Sequence, residues 1–256
     1  GSNKGTDPDN WMEIWNNVFM EYNRIDENTL VKLPKQNVDT GMGLERANCI
    51  LQGKTSVYLT EVFQPIIKTI EELSNYTYGT DEEKDKSVRI IADHSRSSVF
   101  ILGDQRGVTP DRVGAGYVLR RLIRRAVRHG MKLGIEESFL AKIAETVVAN
   151  FKIAYPELEQ NSEKIYKELT AEEEKFRKTL LKGEAEFQKL LPNLMKNPKK
   201  IISGKVAYNL YETYGFPLEL TQELGAENGF TVDVEGFKEA ERKHQEASKT
   251  ADAGAA

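Results

Sequence analysis

The chain has 256 residues, 39% of them hydrophobic and 30% charged, with a net charge of −4. That balance excludes a disordered or membrane-spanning chain and fits one large domain or two ordinary ones. No apolar run approaches bilayer length and no charged-then-apolar leader opens the sequence, so the expectation is a reducing, cytoplasmic setting with no membrane partner.

Residues 1–10 are a turn-rich lead without an apolar anchor. Residues 11–22 alternate as a strand, with Met12, Ile14, Val18, Met20 and Tyr22 on one face and Trp11, Trp15 and Phe19 on the other. Asn16 interrupts the first row, and a polar amide there needs a partner, either neighbouring backbone or a ligand. Asp26-Glu27-Asn28 reads as a hairpin tip and residues 29–33 as the return strand. Val38-Asp39-Thr40-Gly41-Met42-Gly43-Leu44-Glu45-Arg46 then reads as a strand end, a turn made by two glycines a residue apart, and the first turn of a helix. Glycine lets backbone approach a ligand, and the free N–H groups of a helix start attract anions. Asp39 on one side and Arg46 one helical turn beyond can hold an ammonium and a phosphate together. The simpler reading is a strand-to-helix connection capped by Thr40.

Helices follow over residues 42–52, closed by Gly53, and over 60–73, with Thr60 as cap. Cys49, the only cysteine, reads as a packed, inert thiol that excludes an intrachain disulfide. Residues 75–85 are a polar connector, and 83–102 a third helix whose Asp93, His94 and Arg96 fit a polar face with local ion pairing. His94, His129 and His244 lack the spacing of metal ligands. A glycine-punctuated loop over 103–116 leads to a helix over 117–129, stopped by Gly130. Arg120, Arg121, Arg124, Arg125 and Arg128 occupy one side of it, and Leu119, Leu122, Ile123, Ala126 and Val127 the other.

From Asp104 to Lys132 eight residues are basic and two acidic, a local +6 on a body that carries −10 elsewhere. Five arginines so close repel one another unless anions or acidic neighbours compensate. Two readings stand: a face neutralised by carboxylates of the fold, or a phosphate-binding helix. Beyond residue 138 the chain reads as mostly helical. Ile165, Leu169, Phe176, Leu180, Phe187 and Leu190 mark one face of a long charged helix interrupted by Gly183. A helix spans 203–215, another restarts at Phe216-Pro217 and ends at Gly229, Thr231-Val232 adds an extended piece, and Asp233 caps a last helix through residue 243. The alanine-rich tail has no core to join.

Taken together, EIWNNVF, VDTGMGLER, RIIADHSRS, GYVLRRLIRRAVRHG and LYETYGFPLELT resemble the class II alanyl-tRNA synthetases, in that order and at fitting separations. VDTGMGLER resembles their third class II motif. The first two motifs are missing ahead of it, as are the zinc-bearing editing domain and the carboxy-terminal domain behind. The resemblance therefore implies an interior fragment of a longer enzyme, with zinc confined to the absent editing domain. It implies an α+β, mostly α fold: the edge of a class II antiparallel sheet over residues 1–55, a helical tRNA-recognition domain with the basic helix over 56–155, and its helical continuation over 156–256.

The same resemblance implies activation of alanine by ATP with Mg, then transfer to tRNA(Ala). Asn16 and Val18 would contact alanine, Val18 limiting side-chain size; Asp39 would pair with the ammonium, Gly41 would line the pocket, and Arg46 would hold the triphosphate. Such catalysis is positioning and charge neutralisation, with no proton-transferring side chain. Without the first two motifs, the fragment alone is expected to make no adenylate. Arg120, Arg121, Arg124, Arg125 and Arg128 would grip the acceptor stem. Arg112 stands where the family commonly has an asparagine, and Glu212 where it has an aspartate; both would face the wobble pair. Two other readings compete: a non-catalytic RNA-binding helical module and a structural scaffold with a self-neutralised basic face.

Overall fold

The structure, a computed structural model, describes residues 11–111 and 113–253, with side chains described through His244. An antiparallel hairpin comes first, β1 (Trp15–Arg24) with β2 (Leu30–Met42). Its tip is fixed as the sequence suggests: the Asn28 amide donates to Asp26 Oδ1 at 2.9 Å, and the Arg24 guanidinium spans the loop to the Glu27 carbonyl at 2.8 Å. The return strand is far longer than residues 29–33. It absorbs the glycine stretch, so Gly41 lies within β2 opposite Asn16 rather than in a turn. Gly43 follows with φ −73° and ψ 107°, extended backbone that needs no glycine, and it serves as the N-cap of α1 (Leu44–Leu51). Thr40 does not cap this helix; its hydroxyl donates across the hairpin to Asn17 Oδ1 at 2.8 Å and accepts from Trp15 Nε1.

A 3-10 turn (Val57–Leu59) precedes α2 (Gln64–Ser74). Thr60 is buried just ahead of that helix: its carbonyl accepts from the Phe63 and Gln64 amides, while its hydroxyl closes the turn on Val57. α3 (Glu82–Gly103) is capped by Asp81, which accepts from the Lys84 amide at 2.9 Å, with Glu82, Glu83 and Asp85 in its first turn to complement the helix dipole. α4 (Gly114–Lys132) starts three residues early and runs straight through Gly130. Gly130 is not a stop. The Phe139 ring packs on it so closely that a Cβ would come within 2.3 Å of the ring, and the helix ends instead at Gly134, where φ is +85°.

α5 (Leu140–Phe151) and the short α6 (Pro156–Gln160) lead to α7 (Ser162–Leu194), 33 residues long. Gly183 does not interrupt α7; Phe216 packs there, and a Cβ at this position would lie 2.3 Å from its ring. α8 (Gly204–Tyr214), α9 (Leu218–Glu227) and α10 (Val234–Ala253) follow, with Asp233 accepting from the Gly236 amide at the start of α10. The extended piece at Thr231–Val232 is β4, paired in parallel with β3 (Ile201–Ile202), which sequence periodicity missed because two residues carry no period.

One buried cluster joins Phe63, Ile91, Ile123, Ile143, Phe176 and Phe216, contributed by α2 to α9 and continuous across residue 155. The hairpin stays outside it. Trp15, Phe19, Val38 and Met42 are exposed on one of its faces, and Phe19 retains 80% of its accessible surface. α1 ties the hairpin to the helices through the Glu45 carboxylate, 2.7 Å from Arg96 on α3. Burial alone would raise the Glu45 carboxyl, but its own backbone N–H and the Arg96 guanidinium outweigh it and hold it below the ordinary value. The guanidinium stacks over Phe63 at 4.6 Å.

Candidate functional site

The hairpin register collects four of the expected residues. Asn16 pairs with Gly41 and Val18 with Asp39, two successive same-face positions on each strand, so all four share one face. That face is open to solvent. Asn16 is therefore not an amide stranded in a buried apolar row. The Asp39 carboxylate has no hydrogen-bond or ion-pair partner among the described residues, which leaves it free for a cation. Arg46 is exposed in the first turn of α1. Its Nη1 donates to the Glu13 carbonyl at 2.8 Å, and its aliphatic stem lies along Gly43, where a Cβ would meet Cδ at 3.2 Å. Gly43 gives the Arg46 stem a close approach rather than making a turn. The hairpin face thus carries an unpaired carboxylate, and the helix that follows it an exposed guanidinium.

The arginine helix requires a correction. Arg124 and Arg128 are buried, at 4% and 2% exposure, and do not form part of an open phosphate-binding face. Glu172 on α7 lies 2.6 Å from Arg124 and 3.2 Å from Arg120. Along α9, Glu219, Glu223 and Glu227 repeat every four residues and meet α4 as a ladder: Arg121 at 3.3 Å from Glu219, Arg125 at 2.8 Å from Glu223, Arg128 at 2.9 Å from both Glu223 and Glu227, and Lys132 against Glu227. The sequence carried the signal in the matched four-residue spacing of TQELGAE and RRLIRRAVRHGMK, but nothing local says that segments about a hundred residues apart face each other. Arg121 and Arg125 keep nearly half their side-chain surface open and line a cavity of about 270 Å³ with His94 and Leu220. His94 is held by Asp93 at 3.2 Å.

Glu212 on α8 faces a separate cavity of about 310 Å³ with Arg120, Tyr208, Tyr211 and His244, and His244 Nδ1 lies 2.9 Å from its carboxylate. Arg112 lies outside the described residues. Glu173 on α7, unremarked in the sequence, is fully buried. It accepts from the Phe139 and Leu140 amides at 3.1 and 2.9 Å and from Arg177, supplying the cap that α5 lacks. Burial pushes its carboxyl up, against those donors. Among the described residues no group of three His, Cys, Asp or Glu side chains is placed to hold a metal ion, and no helix is long and apolar enough to cross a membrane.

A hairpin running into a helix, with an acid on one and a base on the other and a helical body following, fits the class II synthetase arrangement that the sequence resemblance implies. The chain belongs to that family: it matches the description "tRNA synthetases class II (A)" over residues 1–256. Similar proteins include several alanine–tRNA ligases. The ligase of Treponema denticola is 59% identical over 239 residues, covering 93% of this chain and 40% of that protein. That of Borreliella burgdorferi is 52% identical over the same share of each. That of Natranaerobius thermophilus is 44% identical over 247 residues, 96% of this chain and 28% of that protein. The chain thus spans two-fifths or less of the length of these relatives.

Proposed function

We propose that this chain supplies one wall of the alanine and ATP pocket, and the helices that grip the acceptor stem, of an alanine–tRNA ligase. The observation that carries the reading is the cross-strand grouping of Asn16, Val18, Asp39 and Gly41 on one open face, with Arg46 on the helix that follows. Asp39 receives the ammonium of alanine, Asn16 donates to its carboxylate, and Gly41 opposite leaves room for the backbone to come close. Val18, beside Asp39 on that face, limits the side chain to a methyl group. Arg46 holds a phosphate of ATP, its orientation fixed by the Glu13 carbonyl, and magnesium enters with the nucleotide as part of the substrate. These groups position and neutralise; none moves a proton.

On the RNA side, Arg121 and Arg125 present the outward halves of their guanidinium groups to phosphates. Arg112 and Glu212 face the wobble pair, and Arg120 stands beside Glu212. Arg124 and Arg128 brace this surface from beneath through Glu172, Glu223 and Glu227. Titration with a sulfamoyl analogue of alanyl-adenylate tests the pocket. Wild-type chain should bind it and Asp39→Asn should weaken binding at least about tenfold, the cost of losing one charge-assisted contact. Equal binding by the two proteins would leave the non-catalytic RNA-binding and scaffold readings.

A further inference from the structure

A second basic face runs along α7, and it differs from the arginine helix in what lies opposite. At 3.6 residues per turn, Lys164, Lys167, Lys175, Lys178, Lys182 and Lys189 fall within an arc of about 80°. Ala171 and Ala185 share that arc, and no carboxylate falls within it. The buried side of the same helix, from Ile165 through Phe176 to Phe187, faces away from it. Lys167, Lys175, Lys178, Lys182 and Lys189 are exposed, and Lys164 is half-buried against Gly107, in the loop that leads to Arg112. Three carboxylates of α7 are engaged elsewhere, Glu172 with Arg120 and Arg124, Glu173 with Arg177 and Glu184 with Arg128, while Glu163, Glu168, Glu174 and Glu186 lie about 20–40° beyond the edges of the arc. Only Lys189 has an ion-pair partner among the described residues, Glu186 at 3.1 Å.

We propose that this lysine stripe is a docking surface for the phosphate backbone of a structured RNA, and that it supplies more of the salt-sensitive affinity than the arginine helix does. The inference rests on the RNA-binding half of the proposed function. Charge complementarity selects the occupant. A single file of cations about 37 Å long, from Lys164 to Lys189 at 1.5 Å per residue, matches a rigid row of phosphates. Lys175–Lys178 and Lys178–Lys182 are like-charge neighbours at three and four residues, a repulsion that a bound polyanion relieves. A membrane surface fits poorly, because a helix lying on lipid needs an apolar face beside its cations, and this exposed arc holds only lysine and alanine. On α4, by contrast, each cation already faces a carboxylate. Lysine reads phosphate as a point charge, so the stripe adds affinity without sequence preference.

The test compares wild-type chain with the combined variant Lys167→Gln, Lys175→Gln, Lys178→Gln, Lys182→Gln, and with a charge-matched control, Lys68→Gln, Lys86→Gln, Lys199→Gln, Lys205→Gln. All eight residues are exposed and glutamine is a good helix former, so circular dichroism should be unchanged. Affinity is measured from about 50 to 200 mM salt for an alanine tRNA transcript, for a scrambled hairpin of the same length, and for vesicles containing phosphatidylserine. The stripe variant should bind both RNAs roughly 10- to 100-fold more weakly near 0.1 M salt, and its log–log salt slope should be shallower by about 3. Four arginines at the same positions should restore binding. The proposal is overturned if the stripe variant behaves like the control, or if it loses vesicle binding and keeps RNA binding. Wild-type chain that binds neither RNA would sink the RNA half of the proposed function as well; wild-type binding insensitive to the stripe sinks this inference alone.

Discussion

Arg128→Ala separates the two roles that the basic helix can play. The side chain is 2% exposed and lies 2.9 Å from Glu223, 2.9 Å from Glu227 and 3.8 Å from Glu184. Removing it leaves three carboxylates around one cavity with only Arg125 and Lys132 to offset them. Breaking a fully buried pair costs about 3–5 kcal/mol. These glutamates are between 25% and 40% exposed, so solvent screens part of the repulsion and about 2–4 kcal/mol is the appropriate range. At roughly 2–4 °C per kcal/mol for a chain of this size, the thermal midpoint should fall by about 5–15 °C.

The pH dependence of that loss has a definite sign. Burial alone would raise Glu227, but Lys132 and Arg128 outweigh it and hold its carboxyl below the ordinary value of 4.5. A depressed carboxylate contributes stability above its unfolded pKa and loses it as pH falls through the folded one. Arg128→Ala removes part of that depression, and Glu184, already raised by burial, loses the cation that opposes the rise. The gap between wild type and variant should therefore narrow as pH drops from 7 toward 4. Urea unfolding at four pH values measures it. A midpoint shift below about 1 °C at pH 7, accompanied by a large loss of RNA affinity, would refute the reasoning: Arg128 would then be a phosphate ligand and not a brace.

Glu173→Gln should cost about 2–4 kcal/mol, because the amide cannot accept from Phe139, Leu140 and Arg177 together, and hydrogen exchange should accelerate first at the start of α5; unchanged protection there would contradict the capping role. Gly204→Ala should be more damaging than an ordinary helix substitution. Its Cβ would sit 2.0 Å from the Gly236 backbone, forcing α8 and α10 apart at a cost of at least about 1–3 kcal/mol, read as loss of helicity in α10; a neutral substitution would mean that the two helices cross more loosely than this contact requires. His129 is pushed down to about 3 by burial and by Lys132, Arg128 and Arg125, so the unfolded chain takes up a proton near pH 6.5 that the folded one refuses. Stability should fall as pH drops through that window, with a slope of at most about 1.4 kcal/mol per unit from this group, and His129→Gln should flatten the slope between pH 6.5 and 4.5. Parallel slopes in the two proteins would place the effect elsewhere.

What the sequence conveyed and what it withheld divide along the range of the interaction. Helical periodicity placed the inward faces of α4 and α7 because a buried stripe is a local pattern. Alternation placed Asn16 with Val18, but only the longer return strand and its register put Asp39 and Gly41 on the same face. The glycines misled. Gly130 and Gly183 read as helix breaks from local propensity, yet each is the point where a distant ring, Phe139 or Phe216, packs against the helix backbone. Gly41 and Gly43 read as a turn, yet their backbone is extended. A glycine's freedom is visible in sequence, whereas the neighbour that requires its missing side chain is not.

The same distinction governs the charges. Five arginines on one side of a helix look, from local spacing alone, like a nucleic-acid surface. Their electrostatic meaning depends on Glu172, Glu219, Glu223 and Glu227, which the fold brings against them and which cancel most of their field. The lysines of α7 are less conspicuous because they are diluted among glutamates, yet those glutamates sit beyond the edges of the lysine arc, and Glu172 and Glu184 pair with α4. An arginine pinned by a carboxylate on one edge offers a fixed, directional donor set on the other; a free lysine offers charge without direction. A chain of net charge −4 that approaches a polyanion needs both kinds: unpaired cations to overcome long-range repulsion, and rigid ones to set register once contact is made.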